Sequence, residues 1–348
     1  MIDKKTVFVL GAGASCPYGY PSGARLREMI CLNEGFWKSY EIYLNKHNLK
    51  EKRLEEIMEF RNVFKNANIK SIDAFMANNP KLASIGKYVI AYEVFRAERQ
   101  SLFGEEAKLA QKTIEYTRDN LWPRELLSKT LFEGGDWYFY LYNRIIEGLV
   151  GPTALPDFSD GKLAFITFNY DRSLEHFLYL FLRNLFTEVL EEQIVQSLKK
   201  LKILHVYGQI APLKWQNPND YVDYKPQIDE PLLQRAANNV RTIYEEKDNP
   251  ELIEAQNLLK QAEQVFFLGF GYAPENMKVL DLPSIIFQAS WVCGTAYGWE
   301  NREIDRVKKW FVAGFNEKRK EKTTWINPEM QIKIKNMDCL KLLRNHLD

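Results

Sequence analysis

The residues in this chain best suited to chemistry stand at the ends of short apolar runs. TVFVL (6–10) leads into Gly-Ala-Gly-Ala-Ser (11–15), KLAFITF (162–168) into Asn169, Tyr170 and Asp171, and LKIL (201–204) into His205, Val206, Tyr207 and Gly208. QVFFL (264–268) leads into Gly269, Phe270 and Gly271. Gly11 and Gly13 let backbone N–H groups approach a phosphate closely, and a helix start behind them adds partial positive charge. Asn169 offers its amide to a sugar hydroxyl or a water; equally, it can cap or turn the chain. His205 can take a proton from water or a ribose hydroxyl near neutral pH; it can also be a satisfied core histidine. The other three histidines read as surface residues. His47 lies in the charged stretch NKHNLKEKR, His346 close to residue 348, and His176 off the apolar stripe of its helix.

Such residues need a scaffold that brings strand ends together. Two further runs, ASWVCGTAYG (289–298) and the weaker TTWIN (323–327), extend the series. Near-continuous apolar strands predict burial on both faces, as in a parallel sheet flanked by helices. Helical stretches fall between them. Arg172–Phe186 carries apolar residues at 174, 177, 178, 181, 182 and 185, with Asp171 placed as its N-cap. Glu251–Ala262, Asn301–Phe315 and Asp338–Leu347 follow the same logic. The alternation predicts an α/β fold with a doubly wound, mostly parallel, Rossmann-like sheet.

Residues 35–150 show no convincing strand but several helical pieces, among them Lys87–Gln100, Glu105–Arg118 and Asp136–Leu149. They read as a helical insertion between the first and second strands. Residues 1–34 and 151–348 then form the nucleotide-binding type of domain. The stretch 211–227, rich in Pro, Asn, Asp and aromatics, reads as a loop. Ligands of open α/β sheets bind beyond the carboxyl ends of the strands, so Gly11, Gly13, Asn169, His205, Gly269, Gly271 and Gly294 should converge on one crevice.

Composition narrows the function classes. A formal net charge of +1 over 348 residues provides no basic field for nucleic acid or an anionic membrane. The run NEKRKEK (316–322) mixes signs and reads as a solvated helix end. Cysteines at 16, 31, 293 and 339 form no CxxC pair, which argues against a zinc ribbon or a disulfide framework and points to the reduced cytoplasm. Val7–Leu10 is too short for a secretory leader, and no segment approaches a membrane span.

The first glycine turn is not an ordinary dinucleotide fingerprint. The third glycine position is Cys16, and no acidic residue follows a second strand at the usual distance, so a hydride-transfer domain is disfavoured. Read together, GAGAS, GYPSGARL (19–26), FNYD (168–171) and HVYG (205–208) resemble the sirtuin-like NAD-consuming family, and within it the bacterial antiphage-defence branch of NAD hydrolases. SIDAF (71–75), DWYFYL (136–141), LGFGY (268–272) and WINPE (325–329) also look like segments of that branch.

The resemblance implies NAD as substrate, without a metal. It implies that Gly11, Ala12, Gly13 and Ser15 cradle the phosphates, and that Asn169 engages the nicotinamide ribose and the attacking water. Asp171 would lie nearby, His205 would act as base, and Asn327 would approach the adenosine. Ser22, Gly269 and Gly271 would complete the NAD contacts. Departures are informative. The zinc module of deacylases is absent, and Ser22, Gly23 and Ala24 replace their acidic, aromatic and arginine positions, so water rather than an acetyl-lysine is expected to meet the ribose. Phe168 stands for their glutamine, and Tyr207 stands directly before the glycine where the family places its histidine.

The resemblance further implies a silent resting state, controlled by homo-oligomerisation or by a partner ATPase or helicase, Argonaute-like protein or phage protein. No direct nucleic-acid or membrane contact is expected. Two other readings stay open. One is a non-catalytic NAD or ADP-ribose sensor or scaffold subunit of a defence complex. The other is an interaction module whose Trp- and Tyr-rich insertion docks a partner.

Overall fold

Among the described residues, six short strands pair in parallel throughout, in the order β3-β2-β1-β4-β5-β6. They are β1 (Thr6–Leu10), β2 (Leu163–Thr167), β3 (Lys202–His205), β4 (Gln264–Leu268), β5 (Trp291–Thr295) and β6 (Ile332–Lys335). This is a computed structural model describing residues 2–32, 51–69, 71–101, 136–242, 245, 249–319 and 331–347.

The pattern of burial explains the pattern of sequence. Every residue of β1, β2 and β4 is buried, whereas edge strands β3 and β6 each expose one end. Strands covered on both faces cannot alternate, which is why they read as unbroken apolar runs. Phe8 sits opposite Phe165 on one side and Phe266 on the other, and the three rings stack with centroids 5.4 and 5.3 Å apart.

Between β1 and β2 the described residues form helices only. These are α1 (Ala12–Ser15), α2 (Gly23–Leu32), α3 (Glu51–Ala67), α4 (Ile72–Asn78), α5 (Pro80–Gln100) and α6 (Trp137–Ile146). Their buried side chains belong to the same apolar cluster as the sheet. The expected helix over Glu105–Arg118 lies outside the described residues, as does the strand expected at 323–327. Among the described residues the sixth strand is IKIK, four residues of alternating burial whose lysines hide it from an apolar-run search.

After β2 come α7 (Ser173–Leu185), α8 (Glu191–Leu198), α9 (Glu230–Asn239), α10 (Pro250–Gln261), α11 (Pro274–Val279), α12 (Asn301–Arg319) and α13 (Cys339–His346). Capping follows local chemistry. Ser71, Asp136, Asp229, Asn249 and Asp338 each accept an N–H from the first turn behind them. Asp171 accepts from Ser173 N at 3.0 Å, the first residue of α7, with Arg172 between them at the cap position itself. Residues 211–227 contain no helix or strand. Asn316 and Glu317 on α12 are exposed, as expected of a solvated helix end. No helix among the described residues is long and apolar enough to cross a membrane.

Candidate active site

Strand order reverses between β1 and β4, the point at which an open α/β sheet leaves a crevice beyond its carboxyl ends. Two glycine turns meet there. Gly11 N–H donates to Leu268 O and Gly13 N–H to Gly269 O, each at 3.0 Å. A Cβ on Gly11 would stand 2.6 Å from Gly269 O, and one on Gly269, which adopts φ +56°, would stand 1.9 Å from Ala14 N. The small size of these residues therefore serves the interlock of the two turns, and two of the N–H groups expected to face a phosphate are engaged inside the protein. Ala12 opens α1 and accepts the Cys16 thiol at its carbonyl, 3.5 Å away. Gly271 differs, being exposed with open space around its α-carbon. Gly294 has no such room: a Cβ there would meet the Tyr272 hydroxyl.

Asn169 follows β2 and is 8% exposed. Its Nδ2 donates to Gly11 O at 3.0 Å and to Ser15 Oγ at 2.9 Å, which fixes which way the amide points. Its Oδ1 is buried and has no hydrogen-bond partner among the described residues. An orphaned buried acceptor costs roughly 1–3 kcal/mol, so native proteins keep few of them.

Asp171 is buried beside it. Burial pushes its carboxyl pKa up, opposed by hydrogen bonds from the Ser173 and Ser15 hydroxyls and from Ser173 N–H. Ser15 thus joins Asn169 and Asp171, and it is itself buried. The Tyr138 hydroxyl of α6 lies 2.8 Å from Ser173 Oγ, and Trp137 Nε1 donates to Ala14 O at 2.8 Å. The DWYFYL motif is therefore braced against both halves of the site. SIDAF reaches it too. Ser71 caps α4, and Asp73 in its first turn accepts the Tyr170 hydroxyl at 2.5 Å. Burial raises the Asp73 pKa, against the lowering effect of that bond. Asp73 thus both stands in the first turn of α4 and holds Tyr170.

β3 ends at His205, so Tyr207 lies beyond the strand. The His205 ring lies with Nδ1 2.9 Å from Asn169 O and Nε2 2.5 Å from Glu175 Oε1. Burial, the largest single influence, opposes charge on the ring, but the Glu175 carboxylate, the Asn169 carbonyl and Asp171 together outweigh it and raise the imidazole pKa. Tyr207 turns elsewhere. Its hydroxyl donates to Asn276 Oδ1 at 2.7 Å and its ring meets Phe168 edge-on. His176 is half-buried, stacked on Tyr224 at 3.6 Å between centroids, rather than a plain surface residue.

Arg172 is the largest contribution that sequence reasoning missed. It is fully buried and forks onto Glu98 of α5, with Nε–Oε2 and Nη2–Oε1 both at 2.9 Å. It also donates to Val222 O at 2.5 Å and Asp223 O at 2.7 Å, tying the 211–227 loop to the turn that carries Asn169. Glu175 was missed as well, although it lies three residues before Leu178 and seven before Leu182, on the buried side of α7. An acidic residue inside an apolar stripe is a readable sign of a buried partner.

Ser22 accepts Arg25 N–H at 3.2 Å and caps α2. Asn327 lies outside the described residues. The asparagine that follows the last strand is Asn336, which accepts from Gly298 N and donates to Trp299 O, each at 3.0 Å. Comparison of the chain with protein-family models, with curated proteins and with solved structures finds no match.

Proposed function

We propose that the protein is an NAD glycohydrolase that cleaves NAD to nicotinamide and ADP-ribose, acting as an effector of antiphage defence through NAD depletion. The observation that carries this reading is Asn169 Oδ1, a buried acceptor without a partner among the described residues, beside the Gly11 turn at the end of β1. An acceptor so placed calls for a donor from outside the protein, such as a ribose hydroxyl or an ordered water. Loss of nicotinamide passes through an oxocarbenium-like state on the ribose. The nicotinamide nitrogen is positively charged before cleavage and takes the bonding pair, so no strong acid is required. A neighbouring carboxylate, Asp171, suits the charge that develops. Gly11, Ala12, Gly13, Ser15, Ser22, Gly269, Gly271 and Asn327 are the proposed NAD contacts, with the open surroundings of Gly271 the best support among them. Activity in the cytoplasm, restrained by homo-oligomerisation or by a partner ATPase, Argonaute-like or phage protein, belongs to the same proposal.

A second reading, a non-catalytic NAD or ADP-ribose sensor or scaffold, is favoured by the engagement of both His205 ring nitrogens. One experiment separates the two. Purified protein is mixed with NAD, with and without cell or phage extract, and free nicotinamide is followed. Release by the wild type and a fall of about a hundredfold or more in Asn169→Ala is expected. Release that persists in Asn169→Ala sinks the site assignment, and NAD binding without release under every condition supports the sensor.

A further inference from the structure

His205 is held at both ends of its ring. The partner of Nδ1 is a main-chain carbonyl, which can only accept, so Nδ1 carries a proton. The partner of Nε2 is the Glu175 carboxylate, whose Oε1 also accepts from Gln209 Nε2 at 3.0 Å. Glu175 is 1% exposed, His205 6%, and no Lys or Arg bonds to Glu175 among the described residues. A buried carboxylate requires a paired charge or a proton, and the imidazole is the group in reach. With protons on both nitrogens, the ring has no lone pair with which to take another from water.

We propose that Glu175 and His205 form a buried carboxylate–imidazolium pair that positions Asn169 and does not activate water. The pair follows from geometry, and its kinetic consequence rests on the NAD-cleavage reading above. Nδ1–H clamps the Asn169 carbonyl while Gly11 O and Ser15 Oγ clamp its Nδ2, which leaves Oδ1 as the one unengaged polar atom of the residue. Glu175 holds the ring, and so acts through His205. Cleavage needs nothing more from the histidine. The ribose–nitrogen bond breaks with its pair going to nicotinamide, a water oxygen bonds to the ribose carbon, and the surplus proton of that water passes to solvent. Apart from Glu175, the charged group acting on the ring is the Asp171 carboxylate.

The test has two arms. Nitrogen NMR of the His205 ring, assigned by its loss in His205→Gln, should show both nitrogens protonated at neutral pH in the wild type. Glu175→Gln should abolish that signature. A wild-type ring with a bare Nε2 overturns the proposal, whether or not the protein cleaves NAD. In the kinetic arm, glutamine at 205 keeps a donor for the Asn169 carbonyl but cannot act as a base. His205→Gln should therefore retain at least about ten times the nicotinamide release of His205→Ala, a difference of one hydrogen bond, with KM for NAD within about twofold of the wild type. Equal losses in both, at the roughly 10²–10⁴-fold typical of a removed general base, overturn it. A wild type that releases no nicotinamide refutes the NAD-cleavage reading instead, and the NMR arm then decides the pair.

Discussion

Truncating Glu98 to alanine leaves the Arg172 guanidinium charged, fully buried and short of its counter-ion. Two bonds of 2.9 Å disappear, and the Lys225 N–H loses its 2.7 Å bond to the same carboxylate. The carbonyls of Val222, Asp223 and Pro212 remain around the guanidinium, so the charge is not wholly abandoned. Breaking a buried pair from one side costs about 3–5 kcal/mol; with those carbonyls in place, about 4 kcal/mol is expected for Glu98→Ala. That is a large share of the ~5–15 kcal/mol that stabilises a typical domain. Glu98→Gln keeps an acceptor but removes the charge, and should cost about 2 kcal/mol. Replacing both residues by methionine removes the buried charges yet strands the Val222 and Asp223 carbonyls, so the double variant should recover only part of the loss. Urea unfolding with a common slope measures all three. A Glu98→Ala protein within about 1 kcal/mol of the wild type, at unchanged slope, would refute the claim that this pair secures the loop.

Three further outcomes are expected. Gly11→Ala forces a Cβ to within 2.8 Å of Phe270 Cα and closer still to Gly269 O, neither of which can swing away, and should destabilise by about 1–3 kcal/mol in thermal melts, while Gly271→Ala stays within about 0.5 kcal/mol. Trp137→Phe removes the bond to Ala14 O and should cost about 1 kcal/mol in urea unfolding, with a lower rate of nicotinamide release if α6 braces the glycine turn. The His205 pKa is raised in the folded state, so its stabilising pairing with Glu175 is fully present below the ordinary value of about 6.5 and fades as pH rises through the folded value. The stability gap between the wild type and Glu175→Gln should accordingly narrow as pH is taken upward from about 6.5, and a gap that widens contradicts the pairing.

The parallel sheet was legible because buried stretches such as VFVL and VFFL carry no polar residue, and because the strand ends carry glycine, asparagine and histidine in turn. β6 was not, since IKIK is an edge strand with half its side chains outward. Asn169 was singled out correctly as a strand-end residue, yet its distinguishing property, one amide atom satisfied twice and the other not at all, depends on Gly11 and Ser15, over 150 residues away. The glycines were read as room for a phosphate; Gly11 and Gly13 also make room for Gly269. Spacing within one turn cannot disclose a clasp between two. Glu98 and Arg172 were invisible for the same reason. Each looks like an ordinary surface charge until α5 and the 211–227 loop close over it.

The central strand has a temporal consequence. β1 pairs with β2, whose first residue in register is Leu163, and with β4, where Thr6 meets Gln264. Ribosomes add residues at about 5–20 per second, so the first strand waits tens of seconds for its second neighbour. Until Leu268 and Gly269 emerge, the turn at Gly11 has nothing to clasp. A nascent or truncated chain lacking the last third therefore lacks the β4 pairing and the glycine clasp that close the crevice.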